Sequence, residues 1–197
     1  MKANSKMIKI YSYLKELTIV TIGVLIALVI SNVKENNQAR KYQIASIEAI
    51  KNEVEANYSS LKGVMEKQTS LLDTMKKYST EHIPIGDLIS KARGLQIATL
   101  SNTGLEFYKK NQINSIDFEM MTMLIRMKFL SELIDTNIGK LRDYLYPNLF
   151  ADSEESNMLV ILYLRNVMES ETQLIATYEE FIDKYIKPTH NNTFKEG

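Results

Sequence analysis

Residue types able to carry catalysis or hold a metal are few in this chain, and badly spaced for either. The two histidines, His82 and His190, fall in a Pro-containing loop and in a polar C-terminal tail. Neither belongs to a His-x-x-x-His or Glu-x-x-His pattern, so the ligand spacing of a zincin or a carboxylate di-metal bundle is missing. The absence of cysteine excludes disulfides, thiolate metal sites and a Cys nucleophile and leaves the redox compartment undetermined. No Walker A loop, Gly-x-Gly-x-x-Gly or Gly-x-Ser-x-Gly occurs. The acidic pairs Glu154/Glu155 and Glu179/Glu180 have a plain reading. The first sits at a helix start, where carboxylates contribute a few tenths to about 1 kcal/mol through the helix dipole; the second lies on a solvated face. The expectation is a non-enzyme with no cofactor, no metal and no identified small-molecule ligand. One acid stands apart. Glu16 lies at the edge of an apolar run, where a carboxylate invites a functional reading, yet it can reach the interface and pair with a neighbouring lysine.

That apolar run, Leu17 to Val33, is the most informative element of the sequence. It reads LTIVTIGVLIALVISNV, without a charge. As a helix it spans roughly 25 Å at ~1.5 Å per residue, slightly short of a ~30 Å hydrocarbon core. Tyr11, Tyr13 and Leu14 extend it upstream, and Lys9, Lys15 and Lys34 can snorkel. A cleaved signal peptide is the rival reading, because a basic start followed by an apolar stretch fits both. The run exceeds a typical h-region, and its nearest cleavage candidate, Val29-Ile30-Ser31, lacks the first small residue, which favours an uncleaved anchor. Lys2, Lys6, Lys9 and Lys15 precede the span, against Lys34, Arg40 and Lys41 after it. This slight positive-inside bias places the N-terminus in the cytoplasm.

Gly23, Ala27 and Ser31 repeat at i+4 within the span. Small residues so placed let two helices approach closely, in a homodimer or against a partner membrane helix. Chance explains such a triplet equally well, since these residues are common in spans.

The stretch from Glu16 to Asn32 resembles the N-terminal signature of a family of small, uncharacterised bacterial membrane proteins. Its pattern is of the type Glu-…-Val-x-Ile-Gly-(Ile/Val)-Leu-Ile-Ala-Leu-x-Ile-x-Asn. Glu16, Ile22, Gly23, Leu25, Ile26, Ala27, Leu28, Ile30 and Asn32 fit it; Val33 stands where an aromatic residue often follows. The resemblance implies a bacterial inner-membrane location and a helical domain of about this length. It implies no activity, because the family is a domain of unknown function.

Four segments follow: a short basic tail, 1–16; the span, 17–33; a helical domain, 34–187; and a polar tail, 188–197. From Lys34 onward there are 20 basic and 23 acidic residues, a net charge of −3, which gives the domain no electrostatic reason to bind nucleic acid. Seven Gly and three Pro leave room for long helices. Ile47, Ile50, Val54, Tyr58, Leu61, Met65, Leu72 and Met75 form one amphipathic stripe, interrupted at Gln68. The polar segment Lys34 to Lys41 is the expected place for a bend. Asp87 is placed to cap a short helix ended by Gly94, and Thr103-Gly-Leu-Glu106 has capping-box spacing; both read as connectors over a bundle end. A second long helix, beginning at Ser115, carries Met120, Leu124, Met127, Ile134, Ile138, Leu141 and Leu145 and stops at Pro147. A third begins near Asp152-Ser-Glu-Glu155, carries Val160, Leu164, Val167, Leu174, Tyr178, Phe181 and Tyr185, and ends at Pro188. Six of the ten methionines, between Met120 and Met168, read as core rather than as an adaptable groove.

The predicted fold is all-α: one N-terminal transmembrane helix, then an elongated antiparallel bundle of three long helices with short connecting helices. The functional expectation is a non-enzymatic, membrane-anchored scaffold or accessory protein of the bacterial envelope, with the domain in the periplasm. Its partners are the lipid bilayer and, through Gly23, Ala27 and Ser31, a second span. The alternative is an extracytoplasmic ligand-sensing bundle that signals through a partner membrane protein.

Overall fold

The computed structural model describes the backbone of residues 3–106 and 118–187, with side chains from residue 14 onward in those ranges. Ser115, Pro188, His190 and the polar tail lie outside them. Every regular element among the described residues is helical, as the apolar periodicity predicts. The chain divides into two units, Met1–Ala45 and Ser46–Gly197.

Helix α1 runs from Ala3 to Lys77, 75 residues. It contains no proline, so no position lacks an amide donor, and the polar segment 34–41 is helical like the rest. In the N-terminal unit, the side chains of residues 14–42 are exposed. An 18-residue window of α1 has a mean hydropathy of 2.1 with none of it buried against protein. Among the described residues, α1 is the one helix long and apolar enough to cross a membrane. Two hydroxyls in this stretch satisfy themselves: Thr18 and Thr21 donate to the carbonyls of Leu14 and Leu17, each at 2.8 Å. Both hydroxyl donors are thereby satisfied within the helix, as an apolar surrounding would require.

The second unit is a helical bundle. Beside the end of α1 stand α2 (Ile85–Lys91), α3 (Phe118–Leu145) and α4 (Glu154–Phe181). The buried row of α1 is Ile50, Val54, Asn57, Leu61, Val64, Gln68, Leu71 and Met75. In α4 it is Asn157, Val160, Leu164, Val167, Glu171, Leu174, Tyr178 and Phe181. In α3, Met120, Leu124, Met127, Ser131, Ile134, Leu141 and Leu145 are buried, with Ile138 packed beside them. All three rows alternate steps of three and four, the repeat of helices that interlock along a shallow-angle seam. Of the methionines in question, Met120, Met123 and Met127 are core, while Met158 is exposed.

The direction of each helix follows from its contacts. Asn57 meets Tyr178 and Gln68 meets Glu171, so α4 runs antiparallel to α1. Glu119 pairs with Lys184, and Asn137 reaches Ser170, so α4 is antiparallel to α3 as well. Consequently α1 and α3 are parallel, and the connection between them must return the length of the bundle. Residues 95–102 make that return as an extended strap that runs along the bundle rather than over its end, with Ala98 as its buried side chain. Gln96 sits beside Gln68 and Ser101 beside Asn57. Five strap residues at ~3.3 Å and eleven helical residues at ~1.5 Å both cover about 16 Å. Ala98 and Leu105 enter the core with Ile50 and Met127. The close approach near the end of the strap is made at Gly104, where an added Cβ would stand 3.2 Å from Ile50 Cγ1.

The caps differ from the expected ones. Pro84, not Asp87, precedes α2. The free amides at its start donate to loop carbonyls: Ile85 to Ala151 at 3.0 Å and Gly86 to Leu149 at 2.8 Å. Backbone acceptors thus do what Asp87 would have done, and Asp87 sits in the first turn. The end of α2 closes through Gly94 N–H to Ile89 C=O and Arg93 N–H to Ser90 C=O, a Schellman pair that puts Arg93 in the left-handed region at φ 68°. The capping box at Thr103 is also replaced. Residues 103–106 are helical, and Gly104 N–H donates to Glu53 Oε2 on α1 at 2.9 Å, while Glu106 pairs with Lys128. Helix α4 begins as its start signal predicts, with Ser153 Oγ accepting from Ser156 N–H at 3.2 Å.

Candidate functional site

An extended segment laid along helices has no ladder to join, so its buried backbone groups need side-chain partners. The polar members of the seams supply them. Asn57 donates through Nδ2 to Ser101 C=O at 2.7 Å and accepts from Ser101 N–H at 3.0 Å, reproducing with an amide side chain the exchange that two paired strands make. The same Nδ2 reaches Tyr178 Oη at 3.2 Å. Burial pushes that phenol up to about 12, against the effect of the Asn57 hydrogen bond and with a smaller contribution from the Glu53 charge; it therefore stays protonated. Asn102 donates to Ser131 Oγ at 3.1 Å, tying the strap to α3 as well.

The second polar layer is the sharper feature. Gln68 Nε2 donates to Gln96 C=O and to Glu171 Oε1, both at 3.1 Å. Gln68 is 1% exposed and Glu171 is 0% exposed. Two acceptor atoms of this pair, Gln68 Oε1 and Glu171 Oε2, are buried without a hydrogen-bond partner. Burial pushes the Glu171 carboxyl up to about 7, with the Gln68 hydrogen bond acting in the opposite direction. The layer also divides the core. On one side lie Leu61, Val64, Ile134 and Leu174, on the other Leu71, Leu141, Leu164 and Val167.

This pair is invisible to a search for hydrophobic stripes, because Gln68 and Glu171 register there as gaps. The signal that finds them is the seven-residue step in two stripes, Met65 to Leu72 and Val167 to Leu174, filled in each case by a polar residue at the buried register.

The residues singled out in the span are placed as follows. Glu16, Ala27 and Ser31 are exposed on α1. A Cβ added at Gly23 would meet nothing within 4 Å. Ser31 Oγ donates to Glu35 Oε1 at 3.2 Å. The i+4 spacing on a helix puts Gly23, Ala27 and Ser31 on one side of it. His82 is exposed, and no group of three His, Asp or Glu able to hold a metal occurs among the described residues. Of the paired acids, Glu154 and Glu155 lie in the first turn of α4, and Glu179 pairs with Lys62 at 3.0 Å and with the Tyr58 hydroxyl at 3.0 Å.

The strap begins at a groove of about 630 Å³ lined by Glu66, Lys67, Ser70, Lys91, Ala92, Arg93 and Gln96. Three cations against one acid make it attractive to an anion. Lys67 is engaged with Gln96 Oε1 at 2.7 Å, and the Lys91 ammonium lies 4.6 Å from the Tyr78 ring centre.

Residues 16–111 match the model of a family of unknown function (DUF6090). The match begins at Glu16, where the resemblance in the span also begins, and takes in the rest of α1, α2 and the strap. It covers Asn57 and Gln68 but not their partners Tyr178 and Glu171. No curated protein and no solved structure matches the chain.

Proposed function

We propose that this protein is a membrane-anchored, non-enzymatic interaction protein, a helical bundle tethered by α1 that serves as scaffold or accessory subunit in the bacterial envelope. The observation that carries the reading is an apolar row on the outer side of α3. Phe118, Ile125 and Phe129 are 85%, 51% and 62% exposed, at steps of seven and four that align them on one face. An aligned apolar row outside a finished core is characteristic of surfaces that meet a partner. The exposed apolar stretch of α1 supports the tether, and the lysines ahead of it support a cytoplasmic N-terminus with the bundle in the periplasm. Gly23, Ala27 and Ser31 suit a homodimer or a partner span.

Co-purification of the full chain from detergent extracts, with and without Ile125→Ser and Phe129→Ser, tests the reading. Partners recovered with the wild type and lost with the substitutions are expected. A monomer without partners in both cases would sink it.

A second reading, ligand sensing through a partner membrane protein, is favoured by the cationic groove over Lys67, Lys91 and Arg93. Its test is association in membranes: replacing Gly23 by Ile must weaken self-association or partner association if a signal crosses through that face.

A further inference from the structure

The layer between α1 and α4 contains two planar groups, a carboxyl and a carboxamide, joined by one hydrogen bond from Gln68 Nε2 to Glu171 Oε1. Each group keeps one oxygen that is buried and unpartnered. While Glu171 is ionised both oxygens are acceptors only, so neither can satisfy the other, and no Lys or Arg pairs with Glu171 among the described residues. One proton resolves both defects. On Glu171 Oε2 it converts an acceptor into a donor, and Gln68 Oε1 is the free acceptor of the same partner.

We propose that Glu171 is buried as the neutral acid, with Oε2–H donating to Gln68 Oε1, and that loss of this proton releases α1 from α4 at the polar layer. The pair is then a proton-controlled latch on the helix that carries the candidate span. This inference does not rest on the scaffold reading.

The Gln68 hydrogen bond favours the ionised form, but burial outweighs it, and no cation among the described residues pairs with Glu171. On α1 the neighbouring Glu66 and Lys67 are exposed, and Lys67 is engaged with Gln96. On α3, placed at this level by the Asn137–Ser170 contact, Glu132, Asp135 and Lys140 are exposed. On α4 itself, Arg165 and Glu169 are exposed, and Tyr178 is protonated and bound to Asn57. The strap, residues 95–102, has no titratable side chain. Burial, rather than a neighbouring charge, sets the proton affinity.

The sign follows. Below the ordinary carboxyl value of 4.5, folded and unfolded chains both hold the proton and the latch is at full strength. As pH rises from there the unfolded chain ionises first, and stability falls until the folded group ionises at about 7. Each pH unit in that window costs a factor of ten in the folding constant, so the whole loss is on the order of 100-fold.

The test is chemical denaturation of the full-length protein in detergent at pH 5 and pH 8, wild type beside Glu171→Gln. Glutamine mimics the neutral acid, since its amide can exchange two hydrogen bonds with Gln68. The wild type is expected to lose stability by the stated factor from pH 5 to pH 8. The variant is expected to lose that part of the dependence and to exceed the wild type at pH 8. An unchanged pH slope in Glu171→Gln, or a variant weaker than the wild type at pH 8, overturns the proposal. Should the variant fail to fold, carboxyl ¹³C NMR of the wild type decides: a Glu171 midpoint near 7 supports the latch, and one near 4.5 overturns it.

Discussion

At the scale of single residues, the bundle depends on a few side chains doing work normally done by backbone. Asn57 is the clearest. It holds both backbone groups of Ser101 and contacts the Tyr178 hydroxyl, so Asn57→Ala removes three hydrogen bonds and leaves the buried phenol without that donor. At about 1 kcal/mol per bond, plus the cost of stranded groups, the expected loss is about 2–4 kcal/mol. Denaturant titration measures it, and the Ser101 amide should exchange much faster with solvent. Arg93 presents the opposite case. It occupies a left-handed conformation at φ 68°, which suits glycine better than any side chain. Arg93→Gly is expected to stabilise the protein by about 0.5–1 kcal/mol once glycine's own entropy cost is subtracted, seen as a higher denaturation midpoint at unchanged slope.

At the scale of elements, each helix has a face that the sequence reveals and an end that only packing explains. For α3 and α4 the predicted stripes lie on the buried rows, which also hold the polar positions Ser131, Asn157 and Glu171, and Met123, Leu130, Ile161 and Ile175 widen the buried face beside them. For α1 the predicted stripe drifts by one residue at Tyr58 and Met65, because the buried row holds Asn57 and Val64 beside them. At Tyr58 an apolar neighbour outvotes the Asn57 amide in a count of hydrophobic spacing, and at Met65 two adjacent apolar residues, Val64 and Met65, fit the spacing equally well. Helix ends divide the same way. The start of α4 is legible because Ser153 caps it locally; Ser153→Ala should cost about 1 kcal/mol, measured by denaturation, without disturbing the core. The starts of α2 and of the 103–106 turn were not legible as found, because their acceptors come from Leu149, Ala151 and Glu53, far away in sequence.

For the bundle as a whole, the polar layer separates two apolar clusters, and mutations on either side should behave independently. Leu61 belongs to one and Leu164 to the other, both fully buried. Leu61→Ala and Leu164→Ala are each expected to cost about 2–5 kcal/mol, and the double variant should equal their sum to within about 0.5 kcal/mol. A larger coupling in denaturant titrations would mean that the layer does not divide the core. The sequence by itself determined the apolar span, the all-helical class, the three long helices and the family resemblance at Glu16 to Asn32. Those depend on local pattern: uncharged length, a 3-4 period and scarce breakers. Only the tertiary structure decided that α1 and α3 are parallel and that the strap runs back along the bundle. It alone brought Glu171 to face Gln68, 103 residues away in sequence. An extended segment acquires its partners from other elements, and a buried acid acquires its proton affinity from the water those elements exclude, so neither is written in the residues nearby.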